Sequence, residues 1–131
     1  MQDKATLITI DLGAIERNVK KIVETYGEYR WRVAVVKSDC YGHKGNEVVR
    51  RILRGGANYI AVSFLNEALR IRADFPDVPI MLLVPPPTDL IDWCIENDVE
   101  ITVPDLAYLR QIVDKPVGIH LRLDGGCDLY N

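Results

Sequence analysis

The sequence is poor in the features that announce a function at once. It has three cysteines, Cys40, Cys94 and Cys127, far apart and without CxxC spacing. That excludes a disulfide framework and a thiolate zinc site, and points to reduced thiols in a cytoplasmic protein. No excess of positive charge is present: the net charge is -3, so electrostatics offers no case for nucleic acid or an anionic membrane. No apolar run approaches the length that spans a bilayer, and the start, Met1-Gln-Asp-Lys-Ala-Thr, lacks the basic and apolar regions of a signal peptide. Neither G-x-G-x-x-G nor G-x-x-x-x-G-K-[ST] follows a strand, which argues against an open nucleotide-binding sheet. There is no low-complexity linker, and no pair of carboxylates stands out as an acid–base dyad.

What is present is an ordinary globular composition, 48% hydrophobic and 27% charged over 131 residues, enough for one domain with a modest core. Thr6–Asp11 reads as a short strand, with Asp11 able to cap a helix whose apolar stripe is Leu12, Ile15, Val19, Ile22, Val23 and Tyr26. Gly27 stops it. Val33–Lys37 reads as a strand buried on both faces. A helix from about Asn46 follows, burying Val48, Val49, Ile52 and Leu53 and ending at Gly55-Gly56. Tyr59–Phe64 is a second buried strand, and a helix from Asn66 runs towards Pro76. Pro79–Val84 is a strand cut off by Pro85-Pro86-Pro87. Thr88 is placed to cap a helix carrying Leu90, Ile91, Cys94 and Ile95. After a strand at Glu100–Val103, Pro104 suits the first turn of a helix with the stripe Leu106, Leu109, Ile112 and Val113. Gly118–Asp124 is the last strand. Its alternation puts Ile119, Leu121 and Leu123 on one face, suited to a helix layer, and His120, Arg122 and Asp124 on the other.

Strands alternating with helices at roughly twenty-residue intervals imply right-handed crossovers and a parallel sheet. Periodicity does not separate an open doubly wound sheet from part of a (β/α)8 barrel. In either, chemistry collects at the carboxyl ends of the strands. Lys37 sits at such an end. Burial against an apolar wall would favour its neutral amine, the form that attacks a carbonyl to give a Schiff base.

Val35-Val36-Lys37-Ser38-Asp39-Cys40-Tyr41-Gly42-His43-Lys44 resembles the cofactor motif of the alanine racemase family: a valine-rich strand, then Lys, small, Asp or Asn, small, Tyr, Gly, His, Gly. It departs at Lys44, where the family has glycine. The resemblance implies that Lys37 carries pyridoxal 5'-phosphate and that the Tyr41 hydroxyl bonds the cofactor phosphate. His43 reads as a turn residue, Asp39 as a residue bonding its own loop, and Gly55-Gly56-Ala57 and Glu67-Ala68 as structural segments. The tail from Asp124 matches the family's Asp-Thr-Gly-Met-x-Arg-x-Gly loosely: Asp124 and Gly126 agree, while Leu129 stands where the family has an arginine at the cofactor's phenolic oxygen. The family's carbamylated lysine, seven positions earlier, is replaced by Arg122. One consistent reading is that Arg122 supplies the positive charge itself.

The expected fold is therefore α/β, a partial (β/α)8 TIM-type barrel of about five parallel strands with alternating helices. The opening strand, by resemblance, belongs outside the barrel. A full barrel takes ~250 residues, so residues 1–131 are expected to be the N-terminal part of the barrel domain, and the unpaired outer strands to be association sites. The expected activity is that of a pyridoxal-phosphate-dependent amino-acid racemase, interconverting L- and D-amino acids through Lys37, as a cytoplasmic homodimer. In the family a tyrosine from the C-terminal domain of the other subunit serves the second face of the substrate, so these residues by themselves are expected not to racemise at an enzymatic rate. The alternative is a non-catalytic cofactor-binding or assembly module of the same fold.

Overall fold

A computed structural model describes residues 7–123. The first regular element is α1 (Leu12–Tyr26), and its N-cap is Asp11, whose Oδ1 accepts from the Ala14 N–H at 2.9 Å. The elements then run β1 (Val33–Val35), a one-turn element α2 (Lys37–Tyr41), α3 (Asn46–Arg54), β2 (Tyr59–Val62), α4 (Leu65–Asp74), β3 (Ile80–Leu82), α5 (Ile91–Glu96), β4 (Val99–Val103), α6 (Leu106–Ile112) and β5 (Ile119–Leu121).

All four strand pairings are parallel, and the order across the sheet is β1-β2-β3-β4-β5. Sequential order decides between the two α/β topologies. A doubly wound sheet reverses direction at a switch point and puts helices on both faces. Here the order never reverses, so crossovers of one hand put the helices on one side. This is the winding of a (β/α)8 barrel, with five of its parallel strands among the described residues.

The core lies between the sheet and that helix layer. Register places Ile60, Ile80 and Val99 side by side, then Val62, Leu82 and Ile101. These pack with Val48, Val49, Ala68, Ile71, Ile91, Cys94 and Ile112 from the helices. Most of the strand residues in this set have no exposed surface. The opposite, concave face carries Tyr59, Ala61, Met81, Glu100, Thr102 and His120, and no helix covers it among the described residues.

Several expectations are corrected. Residues 7–10 form no strand, and Leu7 and Ile8 are exposed, because nothing described pairs with them; Thr6 lies outside the described residues. The Val33–Lys37 segment is not buried on both faces. β1 is an edge strand with Val33 and Val35 about half exposed, while Val36 is buried on the helix side. The α1 stripe is covered only in part: Leu12 and Ile15 pack on the core, whereas Ile22 and Tyr26 join Tyr29, Trp31 and Val33 in an open apolar cleft of about 330 Å³. Thr88 does not cap; it lies inside a 3₁₀ turn that leads into α5. Pro104 precedes the α6 N-cap, which is Asp105, accepting from the Tyr108 N–H at 2.8 Å. In α6, Leu106 and Val113 are exposed and Tyr108, Leu109 and Ile112 face the core.

At the amino ends of the strands, one side chain holds two loops together. Arg72 donates from Nε to Asn97 O, from Nη1 to the carbonyls of Phe75, Pro76 and Val78, and from Nη2 to Asp98 O. The planar fork reaches the loop before β3 and the loop before β4 at once. Arg72→Met keeps the stem and removes the fork. Urea unfolding is expected to show a loss of about 2–4 kcal/mol, because partly buried carbonyls lose a charged donor. Arg72→Lys, with a single ammonium, recovers little of it.

Candidate active site

The backbone after β1 does something unusual. Ser38, Asp39, Cys40 and Tyr41 all have φ between 52° and 57°. α2 is therefore a left-handed turn, closed by Cys40 N–H to Val36 O at 3.0 Å and Gly42 N–H to Ser38 O at 3.0 Å. Non-glycine residues pay roughly 1–2 kcal/mol each for this conformation, and such strain gathers at functional sites. Lys44 continues the pattern at φ 61°, between Gly42 at 82° and Gly45 at 81°. The glycine that the family motif has at this position is the residue the backbone favours.

Three sets of bonds hold the turn. The Glu67 carboxylate, 8% exposed, accepts from Ser38 N–H through Oε1 at 2.6 Å and from Ser63 and Phe64 N–H through Oε2 at 2.9 and 3.0 Å. Hydrogen bonds to a charged group are worth about 1.5–3 kcal/mol each, so three of them offset strain of this size. Asp39 Oδ1 accepts from Gly45 N–H at 3.0 Å and lies 3.8 Å from the Arg70 guanidinium, so Asp39 does bond its own loop. His43 Nδ1 sits 3.0 Å from Cys40 O, beneath the same turn. Cys40 is buried here, and desolvation, aided by the Asp39 charge, pushes its thiol up to about 11.

Two of the expected site residues bound the turn. Lys37 begins it at the carboxyl end of β1, half-buried, and Tyr41 ends it, 58% exposed and beside a small cleft lined by Ile15, Val35, Val36 and His43. The apolar wall expected around the Lys37 amine is open on the β1 edge, where Val35 is exposed. Arg122 lies elsewhere. It follows β5, its N–H donating to Val103 O at 3.0 Å, with β2, β3 and β4 between it and β1. Alternation along β5 pairs Ile119 with Ile101 and Leu121 with Val103 on the helix side, so His120 and Arg122 take register positions on the concave face. The tail from Asp124 lies outside the described residues.

Against known proteins, the family model for the alanine racemase N-terminal domain matches residues 10–128. The chain belongs to the alanine racemase family. The alanine racemase of Halalkalibacterium halodurans is 35% identical over 127 residues, covering 92% of this chain and 33% of that protein. Alanine racemase 1 of Oceanobacillus iheyensis is 34% identical over 125 residues, covering 91% and 33%. Among solved structures, alanine racemase from Streptomyces coelicolor superposes with a TM-score of 0.79 at 28% identity, over 89% of this chain and 33% of that one. Alanine racemase from Bacillus anthracis with bound L-Ala-P gives 0.74 at 35% identity, over 84% and 30%. The chain thus spans about a third of the length of these relatives.

The residue that the sequence marks only as part of a structural segment, Glu67, is the one that holds the turn between Lys37 and Tyr41. Glu67 was legible as a segment resembling the family, yet its grip on Ser38, 29 residues earlier, was not. The signal available was weak: a glutamate in the first turn of a helix that follows a buried strand.

Two substitutions test the turn. Glu67→Gln keeps the shape but turns an amide NH₂ toward backbone donors; a loss of about 2–4 kcal/mol is expected in urea, with faster exchange of the Ser38 amide. Lys44→Gly relieves a left-handed lysine and is expected to raise stability by about 1 kcal/mol, read from the same unfolding curves.

Proposed function

We propose that the chain supplies the cofactor-bearing part of a pyridoxal-phosphate-dependent amino-acid racemase, with alanine or a similarly small amino acid as substrate. The observation that carries this reading is the left-handed turn that starts at Lys37 and ends at Tyr41 on a strand's carboxyl end, in a chain of the alanine racemase family. The donor set fits the cofactor: an amine for its aldehyde, a phenol for its phosphate and, at Arg122, a guanidinium for its phenolic oxygen. Bound there, pyridoxal phosphate supplies an electron sink for negative charge at the substrate Cα. Lys37 Nζ would hold and return the Cα proton on one face of the substrate. Tyr41 Oη would orient the cofactor by hydrogen bonding to its phosphate, and the hydrogen-bonded turn between the two residues holds the backbone that carries amine and phenol. That a solved relative carries bound L-Ala-P supports an alanine-like ligand. The reading extends to a homodimer in the cytoplasm; among the described residues no helix is long and apolar enough to cross a membrane.

A non-catalytic binding or assembly module is the second reading. What favours it is the exposure of Val33 and Val35 on the concave face of the outer strand β1 and of Ile119 and Leu121 on the helix side of the outer strand β5, apolar surface that a partner would cover.

The deciding experiment is reduction with borohydride after incubation with pyridoxal phosphate, followed by peptide mapping. Label is expected on Lys37, absent from Lys37→Ala, and Tyr41→Phe is expected to weaken cofactor affinity about tenfold, the size of one hydrogen bond to a charged group. Label spread without preference over Lys20, Lys21, Lys44 and Lys115 would overturn the proposal.

A further inference from the structure

The concave face holds a polar cluster that the proposed chemistry does not use. Tyr59 Oη donates to Glu100 Oε2 at 2.5 Å and lies 2.9 Å from His120 Nε2, which in turn lies 2.6 Å from Glu100 Oε2. The three residues come from β2, β4 and β5, so the cluster bridges across β3. Tyr59 is 4% exposed, and its ring meets Trp31 edge-on at 5.5 Å and the His120 imidazole edge-on at 6.0 Å. Burial and the Glu100 carboxylate both raise the Tyr59 pKa, so the phenol stays a proton donor.

β5 needs such a tether. It is three residues long, and its helix-side residues Ile119 and Leu121 are 42% and 66% exposed, so apolar packing holds it weakly. Its backbone attachments to β4 include Ile101 N–H to Gly118 O at 2.9 Å and Arg122 N–H to Val103 O at 3.0 Å. A backbone ladder specifies pairing but not register, and a slip of one residue moves every side chain to the other face. A slip here would bring Ile119 or Leu121 against Glu100 and carry Arg122 to the helix side. Glu100 and Tyr59 accept His120 at one position only, and a polar contact of this kind can fix register even where it adds little stability.

We propose that Tyr59, Glu100 and His120 form a register lock for β5, and that through it they act as positioning residues for Arg122 at the concave face. The lock stands on the geometry alone; the consequence for the cofactor rests on the function proposed above.

Amide exchange of the full chain tests the lock directly. In His120→Leu, exchange at Arg122 is expected to quicken about tenfold or more, the effect of losing a charge-assisted bond, while Ile60 and Leu83 in the central ladder stay unchanged. His120→Gln, which keeps a polar donor, is expected to restore protection. The second arm is the visible absorbance of the chain loaded with pyridoxal phosphate: His120→Leu and Arg122→Leu are expected to shift the band alike, and His120→Gln to leave it in place. Unchanged exchange at Arg122 in His120→Leu overturns the lock, whether or not cofactor binds. A band that moves with Arg122→Leu but not with His120→Leu overturns the positioning role. Absence of any band in the parent chain overturns the cofactor reading instead, and the exchange arm still decides the lock. Should His120→Leu not fold, Tyr59→Phe keeps the ring against Trp31, removes the hydroxyl, and is read in the same two ways.

Discussion

The placement of Lys37 and Tyr41 depends on one buried carboxylate. Glu67 gathers three backbone N–H groups, one from the left-handed turn after β1 and two from the loop after β2. Without an acceptor, these donors would sit partly buried and unpaired, and four residues would be held in a conformation that L-amino acids avoid. With it, the carboxyl ends of β1 and β2 are tied together and the strain is sustained. Strain of this kind persists only where the surroundings over-determine the backbone, and here three hydrogen bonds to one carboxylate do so.

Polar groups are sorted by height along the strands. Glu67 works at the carboxyl ends, Arg72 at the amino ends, and the helix-side layer between them is nearly pure aliphatic. Each end therefore has a charged side chain answering backbone groups of the opposite polarity, a carboxylate for N–H groups and a guanidinium for carbonyls. On the concave face, Thr102 Oγ1 donates to Leu82 O at 2.8 Å and the Tyr59 cluster spans β2 to β5. Polar contacts there act between strands, where apolar packing has no helix to work against.

The helices and inner strands were readable because their signals are local. Asp11 before Leu12 is a cap by its own side chain, and the run Tyr59–Val62 is buried throughout as its composition indicates. The faces of β5 followed from alternation. The misreadings lie where a neighbour decides. Val33 and Val35 read as core by composition, yet their register with Tyr59 and Ala61 puts them on the concave face, which no described helix covers. Thr88 and Pro104 are good starters of helices, but the chain begins α5 and α6 a few residues later, where the loops between strand and helix allow. Leu106 and Val113 fit a helical stripe that the sheet does not meet.

The sequence by itself determined the alternation of elements, the parallel sheet and the stretch from Val35 to Lys44 that marks the family, since each rests on residues adjacent in the chain. Tertiary structure alone decided the winding. Barrel and doubly wound sheets share one alternating pattern and differ only in which strands become neighbours. It also decided the left-handed turn, because four consecutive residues at positive φ are held by an acceptor 29 residues away from Ser38. The meeting of Tyr59, Glu100 and His120 spans 61 residues between its outer members, a separation at which side chains find one another only once the sheet has formed.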